Sequence, residues 1–477
     1  MGGCVWNEVA HAGSAGASPH RSGIGGAEVR AKENALVYLS APRVNPPLHR
    51  LLRECPVVVT GMGAFCGAGT SAGELWQAVL RGESPADWLP EELSPAGLKV
   101  VGIRATTPPL TRLTRKLDRS AQLAHAAATE AWHAAQLNTH PVAPERVGVF
   151  VGTSRGAVGK LVEACAGGLQ PPSAACDSSD PIRPAHPQRD GCKPPARPSD
   201  AAHCSLANVS GMLSLAFPAH GPALTVSATC ASGAAAIALA AQQILLGTVD
   251  VAMAGGAEAP LNPLVIAQLH AAGILGHDEN PRLTCKPFDA ARNGIVLGEG
   301  ASFLILESQA SARRRGARML ARLSGWALAA EGGERVGMDR TGASLSRVIT
   351  ESLAMAGVAP AELGCVNAHG TGTLLNDLAE ANALRLALGQ AAARVPCAST
   401  KAVTGHCLGA SAALEAVICL QAIQTGHLPG TTNCSTLDPA VRLNVLRASR
   451  DFPAVQSALS VSAGFWGNQA ALVFQPA

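Results

Sequence analysis

The chain has 477 residues, of which 47% are hydrophobic and 15% are charged, and its formal net charge is +3. These values describe a globular protein with a large core and exclude a chain that is disordered throughout. Because the basic residues form no long stripe, nucleic acid is a poor candidate for the main ligand.

The start of the chain does not have the pattern of a secretory signal. Residues 1–23 lack a charged start followed by an apolar run, so a secretory signal is not predicted. No apolar stretch of about 20 residues, the length that crosses a bilayer, is predicted to span a membrane. The 14 cysteines are scattered and form no C-x-x-C pair, which favours a reducing compartment. We therefore expect a cytoplasmic protein without a membrane span.

Two segments show no regular period. Residues 1–54 are rich in Gly, Ala, Ser and Arg and predict a poorly structured N-terminal extension. Residues from about 165 to 203 are rich in Pro, Ser and Asp and predict an irregular surface insertion. The cysteines and histidines of this insertion match no zinc-finger or zinc-ribbon spacing, so we predict no metal site.

The folded part is predicted to start near Cys55, where PVVVTGMGAFCGAG (56–69) begins as a buried strand. The glycines of this segment miss the G-x-G-x-x-G spacing, which disfavours a dinucleotide-binding loop. Further strands at 147–152, 249–258 and 301–307 lie between Ala-rich helical stretches, which is typical of an α/β protein. A similar order of helices and strands recurs in the remainder of the chain and suggests two similar halves.

A candidate nucleophile lies in VSATCASGAAAIALAAQQILLG (226–247), where Cys230 separates an extended run from a long apolar helix. Unpaired backbone N–H groups and the helix dipole at such a position favour the thiolate, which an attacking cysteine requires. Taken alone, Cys230 would more often be an inert cysteine in an Ala-rich core. Two further motifs favour the reactive interpretation.

Two histidines occupy glycine-rich loops. His369 lies in VNAHGTGTLLNDLAE (366–380), and His406 lies in ASTKAVTGHCLGASAALEA (398–416), five residues after Lys401. Strand ends are where such sheets place their chemistry. Either histidine alone would more often be a structural residue. Together with the cysteine, they predict a nucleophile next to a polarising pair of imidazoles.

Five ordered motifs resemble those of the β-ketoacyl-acyl carrier protein synthases of the elongating type, which are thiolase-like condensing enzymes. The motifs are SATCASG, KPFDAARNGIVLGEG (286–300), NAHGTGT with NDLAE, STKAVTGHCLGA and GFWGNQA (464–470). The resemblance covers about residues 55–476. It implies a duplicated five-layer α/β/α/β/α fold with an N-terminal half at 55–308 and a C-terminal half at 309–477. It also implies a homodimer, or a heterodimer with a related subunit.

The resemblance implies the roles of the reacting groups. Cys230 would accept an acyl group as a thioester, and the backbone N–H groups of Cys230 and Phe465 would hold the oxyanion. His369 and His406 would stabilise the enolate that forms when a malonyl thioester loses carbon dioxide. We expect Cys230→Ala to abolish acylation, and either histidine variant to keep acylation and lose condensation.

The supporting residues are also implied by the resemblance. Lys401 would support the histidine loop, with Asp377 and Glu380 as its carboxylate partners. Thr371 and Thr373 would line the pantetheine tunnel. The implied partners are an acyl carrier protein and malonyl and acyl thioesters. The protein would hold no cofactor of its own, because the reactive arm is the 4'-phosphopantetheine of the carrier.

The chain departs from the family pattern at Trp466, where glycine is usual, and at Asn468 and Gln469, which replace a Thr-Asn pair. In the family this loop carries a gating phenylalanine, here Phe465, and the bulky indole of Trp466 would stiffen the gate.

Three alternatives remain open. A non-catalytic subunit that resembles chain-length factors is disfavoured by Cys230. The second alternative is a thiolase or a cysteine hydrolase that acts on thioesters. A thiolase is disfavoured because residues 464–470 contain no second cysteine, but this does not disfavour a hydrolase. The third alternative is a carrier-binding module without turnover. The motifs report chemistry and not pathway, so polyketide and aryl polyene synthesis stay open beside fatty acid elongation, which is favoured as the more common.

Overall fold

The computed structural model describes residues 46–166, 198–333, 338–452 and 454–477. Residues 1–45 of the predicted N-terminal extension therefore lie outside the described residues, and so does most of the predicted insertion. The predicted division into two halves stays a prediction.

The described residues contain strands of 2 to 10 residues. In chain order they are β1 (Val57–Cys66), β2 (Asp87–Trp88), β3 (Val101–Ile103), β4 (Val147–Gly152), β5 (Ala223–Val226), β6 (Val251–Glu258), β7 (Leu297–Gly298), β8 (Gly300–Ser308), β9 (Ala321–Ala330), β10 (Cys365–Asn367), β11 (Pro396–Ala398), β12 (His427–Leu428), β13 (Asn444–Val445), β14 (Arg450–Asp451), β15 (Ala458–Ala463) and β16 (Asn468–Gln475).

The α-helices of the described residues surround and separate these strands. They are α1 (Pro46–Glu54), α2 (Ala72–Arg81), α3 (Arg119–Ala134), α4 (Val158–Ala166), α5 (Pro198–His203), α6 (Asn208–Ala216), α7 (Ser232–Leu245), α8 (Pro263–Ala271), α9 (Gln309–Arg314), α10 (Ala343–Ala356), α11 (Leu374–Leu388), α12 (Lys401–Thr404) and α13 (Ser411–Thr425).

The large sheet is built twice from the same plan. One part has the order β5-β4-β6-β8-β1 and the other has the order β11-β10-β15-β16-β9. Numbered within each part by chain order, both read 3-2-4-5-1. In both parts the first three strands of this order are parallel and the next two pairings are antiparallel. Pairing of β1 with β9 joins the parts, and β13 extends the edge beside β11.

Helices complete the layers. Helices α7 and α13 pack against each other between the two parts of the sheet and contact strands of both. Helix α3 covers β1 and β8 on one outer face, and α10 covers β9 and β16 on the other, with α11 against α10. The predicted duplicated α/β/α/β/α fold is confirmed.

Glycines in β1 allow α3 to approach the sheet closely. A Cβ on Gly61 would lie 2.2 Å from the carbonyl oxygen of Ala131, and one on Gly63 would lie 2.2 Å from that of Ala127. The glycine-rich sequence that resembles a nucleotide loop is thus part of a buried strand, and its glycines serve helix–sheet packing.

The most apolar segments are core elements. The predicted buried helix and strand within 226–259 are α7 and β6, and every residue of β6 is buried. Residues Leu408–Thr425 are long and apolar enough to cross a membrane, but 83% of this stretch is buried inside the protein. Helix α1, within the predicted extension, forms because its apolar side packs on the core through residues such as Leu52.

Candidate active site

Cys230 lies on a tight turn between the end of β5 and the start of α7. The preceding residue, Thr229, has a φ of 50°, in the left-handed region that non-glycine residues rarely adopt. The 464–468 loop packs directly on this turn, because a Cβ on Gly464 would lie 2.8 Å from the backbone nitrogen of Cys230. A glycine at this position therefore lets the loop that carries Phe465 approach the cysteine.

Burial determines the protonation state of Cys230. The residue is 8% exposed, and desolvation raises the pKa of its thiol to about 12, although the positive charges of Lys401 and Arg155 act to lower it. The carboxyl groups of Glu258 and Glu415 act in the same direction as burial. The prediction of a resting thiolate is therefore wrong, because burial favours the uncharged thiol.

His406 contacts the sulfur directly. Its Nε2 lies 3.2 Å from Sγ of Cys230, and its Nδ1 lies 3.0 Å from Oγ of Ser411 at the start of α13. Burial lowers the pKa of this imidazole well below its ordinary value, and the charge of Lys401 lowers it further. A neutral ring can accept the thiol proton on Nε2 while Nδ1–H donates to the serine hydroxyl.

His369 follows β10 and faces His406. The two ring centroids lie 5.3 Å apart at an interplanar angle of 82°. Nζ of Lys401 lies 3.3 Å from Nδ1 of His369 and also donates to its carbonyl oxygen. Because an ammonium group can only donate, this contact leaves the ring proton on Nε2. Burial and the charge of Lys401 also lower the pKa of His369 well below its ordinary value, so the ring is a neutral donor.

The carboxylate partner of Lys401 is Glu415 on α13, which accepts a hydrogen bond from Nζ. Both side chains are buried, and burial raises the pKa of Glu415 to about 7 while the ammonium acts to lower it. The prediction that Asp377 and Glu380 pair with Lys401 is wrong, because both accept backbone hydrogen bonds elsewhere. The single acid in the mostly apolar α13 was the sequence signal for Glu415.

Asp377 and Glu380 shape the loop that carries His369. Glu380 accepts from the backbone N–H of His369 at 2.6 Å and of Gly370 at 2.7 Å. Asp377 accepts from the N–H of Phe288 at 2.8 Å and of Gly372 at 3.2 Å. Burial raises the pKa of both carboxyl groups, to about 8 for Glu380. Their role is to position backbone.

The buried Arg292 of the 286–300 motif supports the same loop. Its guanidinium lies 3.5 Å from Asp377 and 2.8 Å from Asp438, and it donates to the carbonyl oxygens of Thr373 and Leu374. Sequence reasoning placed this motif in the family pattern without assigning the arginine a role.

A cavity of about 660 Å³ opens onto these groups. Its lining includes Cys230, His369 and His406, and the two predicted substrate-binding residues, Thr371 and Thr373, whose hydroxyl oxygens lie 3.1 Å apart. The structure thus brings the predicted reacting groups to one cavity.

The 464–468 loop forms part of the cavity wall. Phe465 and Trp466 both line the cavity, and Trp466 is 64% exposed with a φ of 62°. Asn468 donates from Nδ2 to the carbonyl oxygen of Phe465 at 3.0 Å, while Gln469 donates to Glu331 at 3.1 Å. The departures from the family pattern therefore take part in holding the loop.

Glu258, at the end of β6, joins two loops of the cavity wall. It accepts from the backbone N–H of Ser154 at 2.6 Å, of Arg155 at 3.0 Å and of Gly409 at 3.1 Å. Burial raises its pKa to about 7. Sequence reasoning missed this residue, although an acid that ends an apolar strand was a signal.

The three reacting groups also have the spacing of metal ligands, since the donor atoms of Cys230, His369 and His406 lie within 4.8 Å of one another. The sequence-based expectation that no metal is bound stays a prediction.

Comparison with known proteins points to one family. Residues 54–312 match the family described as "Beta-ketoacyl synthase, N-terminal domain", and residues 320–435 match "Beta-ketoacyl synthase, C-terminal domain". Nodulation protein E of Rhizobium leguminosarum bv. trifolii is 34% identical over 433 residues, which cover 88% of this chain and 98% of that protein. Putative polyketide beta-ketoacyl synthase 1 of Streptomyces halstedii is 32% identical over 428 residues, which cover 87% and 97%.

The fold also has relatives among solved structures. A type II polyketide ketosynthase, solved in complex with its acyl carrier protein and bound to a hexaketide, matches with a TM-score of 0.78 at 28% sequence identity. The match covers 89% of this chain and 99% of that chain.

Proposed function

The chain belongs to the β-ketoacyl synthase family of condensing acyltransferases, and on that premise we propose that it uses Cys230 as acyl acceptor in a decarboxylative Claisen condensation. The observation that carries this proposal is the contact of 3.2 Å between Sγ of Cys230 and Nε2 of His406 in a cavity that His369 also lines. A thiol, a proton acceptor and a neutral hydrogen-bond donor are the groups that the two half-reactions need.

In the first half-reaction the sulfur of Cys230 attacks the carbonyl carbon of an acyl thioester. The thiol proton passes to Nε2 of His406, which lowers the barrier that the raised pKa of the thiol would otherwise impose. The backbone N–H groups of Cys230 and Phe465 hold the developing oxyanion. The donor carbon–sulfur bond breaks, and the leaving thiolate takes up this proton from Nε2 of His406.

In the second half-reaction a malonyl thioester loses carbon dioxide. The electron pair of the broken carbon–carbon bond forms an enolate, whose oxygen accepts a hydrogen bond from Nε2–H of His369. It accepts a second one from Nε2–H of His406, in the tautomer whose Nδ1 accepts from the Ser411 hydroxyl once Cys230 is acylated. The enolate carbon attacks the acyl-cysteine, and the sulfur of Cys230 leaves as a thiolate while the new carbon–carbon bond forms. The thiolate then takes up a proton from solvent, which restores the resting thiol. Lys401 fixes the tautomer of His369 and does not react. The product is a β-ketoacyl thioester.

We propose that both thioesters arrive on the 4'-phosphopantetheine arm of an acyl carrier protein. The ketosynthase of similar structure was solved with such a carrier, and the cavity here offers two threonine hydroxyls, of Thr371 and Thr373, to an amide-containing arm. Decarboxylation supplies the driving force, so the chain is expected to hold no cofactor of its own.

We also propose an oligomeric state and a class of acyl chain. The outer edge of β5 pairs with no other strand among the described residues, and β5 is partly exposed. Both observations support a dimer through this edge, with a second copy or a related subunit.

The named relatives include a polyketide synthase and a nodulation protein, so a polyketide-like acyl chain is supported. Fatty acid elongation and a cytoplasmic location stay predictions.

One experiment distinguishes the proposed function from its rivals. Purified protein is given malonyl carrier labelled in the free carboxyl carbon, with and without an acyl primer, and release of labelled carbon dioxide is measured beside the intact mass of the protein. We expect a primer-dependent adduct on Cys230 and primer-dependent carbon dioxide release. An adduct that hydrolyses without carbon dioxide release would identify a hydrolase. Absence of any adduct would leave a non-catalytic subunit or a carrier-binding module and would sink the proposal.

A further inference from the structure

One charged side chain that lines the cavity has no role in the two half-reactions described above. Among the described residues that line the cavity, Arg155 alone carries a formal charge. The other lining groups are apolar side chains, hydroxyls, amides, backbone, and the reacting thiol and imidazoles. A guanidinium group therefore borders the cavity onto which the nucleophile opens.

The backbone of Arg155 is fixed, whereas its guanidinium is largely unused. The residue lies just after β4, where its N–H donates to Glu258 at 3.0 Å and Gly156 follows with a φ of 63°. The side chain is half-buried, and its Nη1 donates to Oε1 of Gln268 on α8 at 3.1 Å. Among the described residues, no carboxylate forms an ion pair with it. At least three of its five donors have no protein acceptor there.

The charge of the guanidinium acts to lower the pKa of the Cys230 thiol, against the larger effect of burial. Leu269, Ala272 and Ile274, at and beyond the end of α8, line the same cavity. A hydrocarbon chain would gain nothing from a cation in this wall and would further desolvate it. A carboxylate would receive two parallel N–H donors from the fork of the guanidinium and would neutralise its charge.

We propose that Arg155 forms an anion-binding subsite and that the preferred acyl group on Cys230 carries a carboxylate at its far end, as in a monothioester of a dicarboxylic acid. The inference rests on the proposed function, because it needs Cys230 as acyl acceptor. During transfer, the carbon–sulfur bond to Cys230 forms and the donor carbon–sulfur bond breaks, with the thiol proton going to the leaving thiolate. The far carboxylate is not changed by the reaction.

The test compares two small donors of equal chain length. N-acetylcysteamine thioesters of glutarate and of pentanoate carry no phosphate, so a role of Arg155 toward the carrier arm does not enter. The rate of acylation of Cys230 is followed by intact mass in the wild type, in Arg155→Met, in Arg155→Lys and in a control variant, Arg314→Met. Arg314 is exposed on α9 and does not line the cavity.

We expect the wild type to be acylated faster by the glutaryl donor than by the pentanoyl donor. Arg155→Met should lower the ratio of these two rates by about tenfold or more, because the variant loses a charge-assisted pair. Arg155→Lys should keep part of the preference, and Arg314→Met should keep all of it. An unchanged ratio in Arg155→Met would overturn the proposal, and so would a wild type that prefers pentanoate. If only carrier-borne donors respond to Arg155→Met, the guanidinium binds the phosphate of the arm instead.

Two outcomes separate this inference from other failures. If neither donor acylates Cys230 and carrier-borne donors also fail, the proposed function itself is wrong. If Arg155→Met changes the oligomeric state on gel filtration and leaves the rate ratio unchanged, the guanidinium belongs to a subunit contact and the subsite does not exist.

Discussion

Burial sets the protonation state of the groups that surround the sulfur of Cys230. It raises the pKa of the thiol and lowers the pKa of both imidazoles, so that all three groups are neutral near pH 7. The resting pair is therefore a thiol beside a neutral His406, not a thiolate beside an imidazolium. This arrangement assigns the two histidines different shares of the reaction.

The first prediction separates His369 from His406. Because His406 contacts Sγ and is proposed to accept its proton, His406→Ala should slow acylation by about 100-fold and also impair condensation. His369→Ala should acylate at nearly the wild-type rate and lose condensation by about 100-fold or more. Single-turnover acylation by intact mass and labelled carbon dioxide release measure the two steps. Equal acylation rates in the two variants would restore the simpler expectation from the sequence.

The second prediction concerns pH. A thiol whose pKa is raised to about 12 gains thiolate by about tenfold per pH unit throughout the range from 7 to 10. Alkylation of Cys230 by iodoacetamide should therefore accelerate across this range without a plateau, with Cys230→Ser as the blank for other cysteines. In Lys401→Met the reaction should be slower at every pH, because the ammonium acts to lower the thiol pKa. A plateau near pH 7 would mean that the resting cysteine is ionised.

At the scale of elements, small residues decide how closely helices meet the sheet. Gly61 and Gly63 of β1 remove the Cβ atoms that would strike the backbone of α3, at the Ala131 and Ala127 carbonyl oxygens. The same property brings the middle helices together, where a Cβ on Gly233 would lie 3.0 Å from the nitrogen of Ala413. Close approach of backbones is thus specified by glycine rather than by large apolar side chains.

The third prediction tests this packing. Gly63→Ala should lower the free energy of unfolding by about 2 kcal/mol or more, because its Cβ meets backbone that cannot move independently. The control is Gly73→Ala inside α2, where the nearest atom to the new Cβ is 3.9 Å away. That change should stabilise by about 0.5–1 kcal/mol through helix propensity. Urea unfolding measures both, and equal effects would contradict the packing argument.

The elements also show what the sequence could and could not predict. The strands at 147–152, 249–258 and 301–307 are found within one or two residues of their predicted bounds, because fully buried strands are continuous apolar runs. Helix α3 was predicted only as an Ala-rich helical stretch without bounds, and strand β9 was not predicted, since their sequences carry weak periods. The pairing of Lys401 with Glu415 depends on the packing of α13 against the histidine loop, which no local pattern reports.

At the scale of the whole molecule, the edge of the sheet at β5 leads to the fourth prediction. Leu224 on β5 is 44% exposed, and Leu224→Asp should convert a dimer near twice 48.4 kDa into a single chain by placing a charge at the contact. Leu386→Asp, on α11 and 61% exposed, should leave the mass unchanged. Sedimentation equilibrium decides, and a wild-type protein that sediments as one chain would contradict the predicted dimer.

The shared 3-2-4-5-1 order of the two parts of the sheet has a consequence for how the enzyme can change. Cys230 and His406 lie at corresponding turns, each between the third strand of its part and a middle helix, while Arg155 and His369 each follow a second strand. The nucleophile and the proposed acyl-binding arginine thus lie on one copy of the repeat, and the two histidines lie on the other. Variation confined to the first copy can alter which chain is loaded and leave the decarboxylating apparatus intact.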